Sequence, residues 1–116
     1  MIDITLTGFV ASDVEAVTEG AQEPAVTFRL GSSTPAFDRA TGAPVDDSPQ
    51  WFTVKLKGRL ASNAAASLRS GDRIIVSGRF AQRQWETLGQ IKSELTLEAS
   101  ALGHDLAWGT SSFTTN

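Results

Sequence analysis

Residues 51–59 read WFTVKLKGR. In an extended strand successive side chains point to opposite faces. Phe52, Val54 and Leu56 therefore share one face, and Trp51, Thr53, Lys55, Lys57 and Arg59 share the other. The first set needs a core. The second is an indole followed by a row of cations, too polar to bury, so it must lie in water or meet a partner that is flat, stackable and anionic. Single-stranded nucleic acid answers that description.

On either side of this stretch the same period returns. Ile2 to Val10 alternates Ile4 and Leu6 with Thr5 and Thr7, and Gly8 stands where a strand bulges or bends tightly. Ala25 to Gly31 sets Val26, Phe28 and Leu30 against Thr27 and Arg29. Between them, Ala11 to Glu23 is acidic and reads as a partly extended loop. Ser32 to Gln50 holds three of the four prolines and no sustained period, which marks a long irregular connection.

Downstream, Leu60, Ala64 and Leu68 recur every four residues, which predicts a helix of about two turns with Ser62 as cap and Gly71 as its left-handed stop. Arg73 to Arg83 is a strand with Ile74, Val76 and Phe80 inward and Arg73, Ile75, Ser77, Arg79, Ala81 and Arg83 outward. Leu88-Gly89 turns the chain into a return strand, Ile91 to Leu102, with Leu95, Leu97 and Ala99 on its apolar face. Gly103-His104-Asp105 reads as a turn. Three strands, a short helix and two further strands is the order of an all-β, five-stranded OB-fold Greek-key barrel with the helix between strands 3 and 4.

The chain has 116 residues and no cysteine, so it forms one domain of ordinary size without a disulfide framework or a thiolate metal site. Residues 1–109 are expected to form the domain and 110–116 a short flexible end. No apolar run approaches the roughly 18 residues of a membrane span, and MIDITLTGFV lacks the basic region of a signal peptide. A cytoplasmic protein with no membrane partner is expected.

The formal net charge of −3 conceals a division along the chain. Residues 1–28 carry five acids and no base, whereas residues 48–92 carry eight bases (Lys55, Lys57, Arg59, Arg69, Arg73, Arg79, Arg83 and Lys92) against Asp72 and Glu86. A partner responds to the local field, and the middle of the chain is basic.

Phe37, Trp51, Trp85 and Trp108 lie outside the expected core faces, in or beside this basic region. Phe9, Phe28, Phe52 and Phe80 are assigned to the core, and Trp108 and Phe113 to packing of the C-terminus. A base stacked on an aromatic contributes roughly 1–3 kcal/mol whatever its sequence, while cations track the phosphates. Two separate strands each combine outward bases with a Trp at one end, and that repetition points to stacking. The competing reading places Trp51 and Trp85 between protein chains, in an OB-fold interaction module such as a replication-restart adaptor or assembly subunit. Catalysis has little support. His104 is the only histidine, Asp46 and Asp47 sit in the irregular segment, and no metal-ligand spacing, phosphate-binding loop or nucleophile motif occurs, so neither cofactor nor metal is expected.

Residues 51–62 (WFTVKLKGRLAS), 67–80 (SLRSGDRIIVSGRF) and 82–87 (QRQWET), with 7–13 (TGFVASD), 28–33 (FRLGSS) and 37–42 (FDRATG), resemble the core of the bacterial single-stranded DNA-binding proteins. The Leu106-Ala107-Trp108 end is similar to the actinobacterial members. The resemblance implies an OB-fold that assembles as a homotetramer and wraps single strands in replication, recombination and repair, in the cytoplasm at the nucleoid. It implies stacking roles for Phe37, Trp51 and Trp85, and phosphate contacts from Arg59, Arg69 and Arg83, which Arg29, Lys55, Lys57, Arg73 and Arg79 extend. Lys57 departs from the family, which usually has an aromatic there. The family also continues into a long tail with an acidic, Phe-terminated tip that recruits repair enzymes. This sequence stops at Thr114-Thr115-Asn116; if complete, it lacks that recruitment.

Overall fold

A computed structural model of the chain describes residues 2–17, 23–32 and 49–116. Within them the two-residue period builds six strands: β1 (Ile2–Val10), β2 (Glu15–Ala16), β3 (Ala25–Ser32), β4 (Gln50–Lys57), β5 (Arg73–Thr87) and β6 (Gln90–His104), with α1 (Gly58–Ser67) between β4 and β5. The irregular connection expected before β4 falls almost wholly outside the described residues. β2 was not expected. Only two residues long, it adds to the edge of β3 through Glu15↔Thr27 and Ala16↔Val26.

The sheet runs β1-β5-β6-β4-β3, and β1 pairs again with β3, so five strands close into a ring with the helix in the expected place. Every pairing is antiparallel except β4 with β6. The closing seam is short: Phe9↔Gly31 and Val10↔Leu30, continued by a hydrogen bond from the Ala11 N–H to the Arg29 carbonyl. Here the backbones come very close. A Cβ on Gly8 would sit 2.2 Å from the Gly31 carbonyl oxygen, and one on Gly31 would meet the Phe9 ring at 2.5 Å. Glycine at both positions is what permits the ring to shut.

Val26, Phe28, Leu30, Phe52, Val54, Leu56, Ile74, Val76 and Leu97 fill the interior, joined by Ala61, Ala64 and Leu68 of the helix side. Phe52 and Phe80 meet edge to face, 6.3 Å between centroids. Phe9 is the exception among the four phenylalanines assigned to the core. It shares the outward parity of Thr5 and Thr7, because Leu6, Gly8 and Val10 are the residues that turn inward.

Two further expectations change at the helix. It starts at Gly58, which takes φ +67° directly after β4, so Arg59 belongs to the first helical turn and not to the strand; Lys57 holds the N-cap position and Ser62 lies inside the helix. The helix is ten residues long and ends at Ser67. Gly71 does adopt a left-handed φ of +95°, but in the turn beyond, where its N–H reaches the Val10 carbonyl.

β5 and β6 form a long hairpin closed, as expected, by Leu88 and Gly89 at φ +52° and +76°. Two successive positive values are the signature of the type I′ turn, whose twist matches that of the strands. One residue of β6, Ser100, has no partner, because Ser77 pairs with Ala101 and Gly78 with Ala99. This bulge reverses the inward parity, so that Leu95, Leu97 and Ala99 give way to Leu102 and His104. β6 thus continues through His104, and the expected turn at residues 103–105 falls instead at Leu106 and Ala107.

Candidate nucleic-acid interface

The outward face of β4 is as the alternation requires: Trp51, Lys55 and Lys57 are exposed and Thr53 half-buried over a buried Phe52, Val54 and Leu56. Register then decides what stands beside each of them. Trp51 pairs with Gly31, Gly31 with Phe9 and Phe9 with Arg73, which puts four outward positions of β4, β3, β1 and β5 in one row. Since Gly31 has no side chain, the Phe9 ring occupies the space above it and meets Trp51 edge to face, with centroids 6.1 Å apart. The Arg73 guanidinium lies 5.4 Å from the Phe9 centroid and 4.3 Å from that of Trp108. Each such cation–π contact contributes about 0.5–1 kcal/mol at an exposed site.

Trp108 is held over Arg73 by a turn. The Asp105 N–H donates to the Arg73 carbonyl at 2.9 Å, the Asp105 carbonyl accepts from the Trp108 N–H at 3.1 Å, and the Asp105 carboxylate accepts from the Ala107 N–H at 3.0 Å. These bonds fix a backbone turn and a side-chain-closed turn on the first residue of β5.

The remaining expected cations fall into distinct surroundings. Arg83 lies over the Trp85 ring at 5.0 Å, and Trp85 pairs across the hairpin with Lys92. Arg29 donates to the Thr53 hydroxyl at 3.2 Å. Lys55 and Arg79 both flank Glu98, and Arg79 also pairs with Asp3. They sit in a band of alternating charge, Glu15–Thr27–Lys55–Glu98–Arg79–Asp3, where opposite charges in cross-strand register contribute roughly 0.2–1 kcal/mol. Lys57, opposite Ala25, ends β4. Arg59 sits on the helix beside residues 112–116, and Arg69 follows the helix, lining a cleft of about 350 Å³ with Asp72, Arg73, His104 and Trp108. Phe37 lies outside the described residues, as do Asp46 and Asp47.

His104 takes a structural position. Its Nε2 is 3.2 Å from the Asp72 carboxylate, which also accepts the Arg69 N–H, and its Nδ1 is 2.7 Å from the Ser111 hydroxyl. The ring ties the segment after β6 to the turn before β5.

The structure thus groups Trp51 with Arg73 and Trp85 with Arg83, and adds Phe9 and Trp108. Phe9 is the one of these that the sequence assigns to the core. The signal that could have found it was parity, since Phe9 falls in step with Thr5 and Thr7.

The Single-strand binding protein family matches residues 1–105, most of the chain. The chain belongs to this family. Single-stranded DNA-binding protein 2 of Tropheryma whipplei is 39% identical over 113 residues, which span 97% of this chain and 74% of that protein. The crystal structure of a small single-stranded DNA-binding protein from Streptomyces coelicolor superposes with a TM-score of 0.79 at 36% identity, covering 93% of this chain and 97% of that one. A second single-stranded DNA-binding protein from Mycobacterium smegmatis has a TM-score of 0.74 over the whole of this chain and 98% of that one; at 22% identity it supports the fold alone. The ring of this single-strand binding family member is therefore the OB-fold that its element order announced.

Proposed function

We propose that this chain binds single-stranded DNA without regard to sequence, stacking bases on Trp51 and Trp85 and setting phosphates against the cations around them. The observation that carries this reading is two partly exposed indoles on the outside of a single-strand binding family fold: Trp51, 45% exposed, in one row with Phe9 and Arg73, and Trp85, 38% exposed, on the long hairpin beside Arg83 and Lys92. Arg29, Lys57, Arg59, Arg69 and Arg83 supply phosphate contacts, and Lys55 and Arg79 contribute to the same field from within the charged band. Phe37 is assigned to stacking on the resemblance.

In this reading the protein acts by occupancy and not by turnover. It covers strands exposed in replication, recombination or repair, as a homo-oligomer taken to be a tetramer, in the cytoplasm at the nucleoid. Among the described residues no helix is long and apolar enough to cross a membrane.

Intrinsic tryptophan fluorescence during titration with poly(dT), at two salt concentrations and with duplex as control, tests the proposal. Strong quenching by the single strand, weakening as salt rises by about 0.7 log units per log of salt for each phosphate neutralised, is expected. An intact oligomer whose fluorescence ignores the single strand would move Trp51 and Trp85 to a protein interface and overturn it.

A further inference from the structure

The row that holds Trp51 does not end there. Going on round the ring, Thr53 pairs with Thr96 and Thr96 with Ala81. Trp51 lies two residues before Thr53 and Arg83 two residues beyond Ala81, both in the same direction, because β4 and β6 are parallel and β5 is antiparallel to β6. One circuit that leaves β5 at position 73 therefore returns to it at position 83, ten residues further along. This displacement is the stagger that any closed barrel must have. It turns separate features into one spiral: Trp108 on Arg73, then Phe9, Gly31 and Trp51, then across β6 at Glu94 to its register partner Arg83 under Trp85.

Resting on the single-strand reading above, we propose that this spiral is one stacking track. Phe9, Arg73 and Trp108 form its second half, a further subsite for the bases of a single strand. Strands are spaced about 4.8 Å apart, so the path from Trp51 to Arg73 crosses three steps, or about 14 Å, room for more than one base. Trp108 is 65% exposed and is held by the Asp105 turn, which leaves its ring prearranged with one face on Arg73. Arg73 acts here as a flat cation between two rings and not as a phosphate contact. Stacking platforms of aromatics and guanidinium planes take any base, because every base offers a π face.

The test labels the protein with 5-fluorotryptophan and assigns its three fluorine resonances by exchanging each Trp for Phe in turn. On titration with oligo(dT), all three resonances shift and saturate together, and Trp108→Ala weakens binding roughly 5- to 100-fold while the melting temperature and oligomer hold. Trp108→Phe retains most of the affinity. Arg73→Gln weakens binding with its salt slope unchanged, whereas a slope smaller by about 0.7 would return Arg73 to the phosphates and overturn its place in the stack. Trp51 and Trp85 responding while Trp108 stays still, or Trp108→Ala binding like the parent, would overturn the subsite alone. Silence from all three would overturn the single-strand reading and the subsite with it.

Discussion

A side chain's exposure and its partner decide what it can offer a ligand. Trp51 and Trp85 each present part of an indole, so replacing either with Ala is expected to weaken poly(dT) binding about 5- to 100-fold, read by anisotropy, with circular dichroism unchanged. The two seam glycines separate packing from presentation. An Ala methyl at position 8 would press on backbone, which cannot yield, whereas one at position 31 would press on the Phe9 ring, which is only half-buried and can swing outward. Gly8→Ala should therefore cost about 1–3 kcal/mol in urea unfolding, and Gly31→Ala less. Gly31→Ala should instead alter near-ultraviolet ellipticity, as Phe9 leaves the edge of Trp51. Parity alone placed Trp51, Lys55 and Arg83 correctly. The neighbours of Trp51 were hidden because they depend on which strands pair, and no local pattern states that.

Elements were legible where a face is buried throughout. β1, β3, β4 and the first half of β5 alternate cleanly because one side of each lines the core. The last residues of β5 read less clearly. There the hairpin stands clear of the barrel with both faces exposed, and nothing enforces alternation. β2 was missed because two residues cannot show a period. The helix start was missed because Gly58 looks like a strand residue until its positive φ is known. The hairpin turn offers a direct test. Leu88 is 98% exposed and adopts a left-handed φ that costs a branched residue about 1–2 kcal/mol, while Asn tolerates it. Leu88→Asn should raise stability by up to about 1 kcal/mol in thermal melts. Charge placement offers another. Lys55 and Arg83 each stand in register with a glutamate, Glu98 and Glu94, whereas Lys57 stands opposite Ala25. Lys57→Gln should therefore lower the salt slope of binding by about 0.7, and Lys55→Gln and Arg83→Gln by less.

At the scale of the whole molecule, the order of elements sufficed to foresee the barrel, since few topologies place one helix between the third and fourth of five main strands. What order could not supply was the stagger, which comes from bulges and registers that only the closed ring fixes. The proposed tetramer is checked by sedimentation equilibrium or native mass spectrometry, where a species of four 12.3 kDa chains is expected. The seam between β1 and β3 carries one more consequence. With two residue pairs it is the weakest joint of the ring, and the sheet should breathe there before it melts anywhere else. A strand lying along the Trp51-to-Arg73 row would cross that joint and act as a clasp. Deuterium should then enter the Ala11 amide, which bonds to the Arg29 carbonyl across the joint, more slowly once oligonucleotide is bound, so the ligand would toughen the vessel it is wound upon.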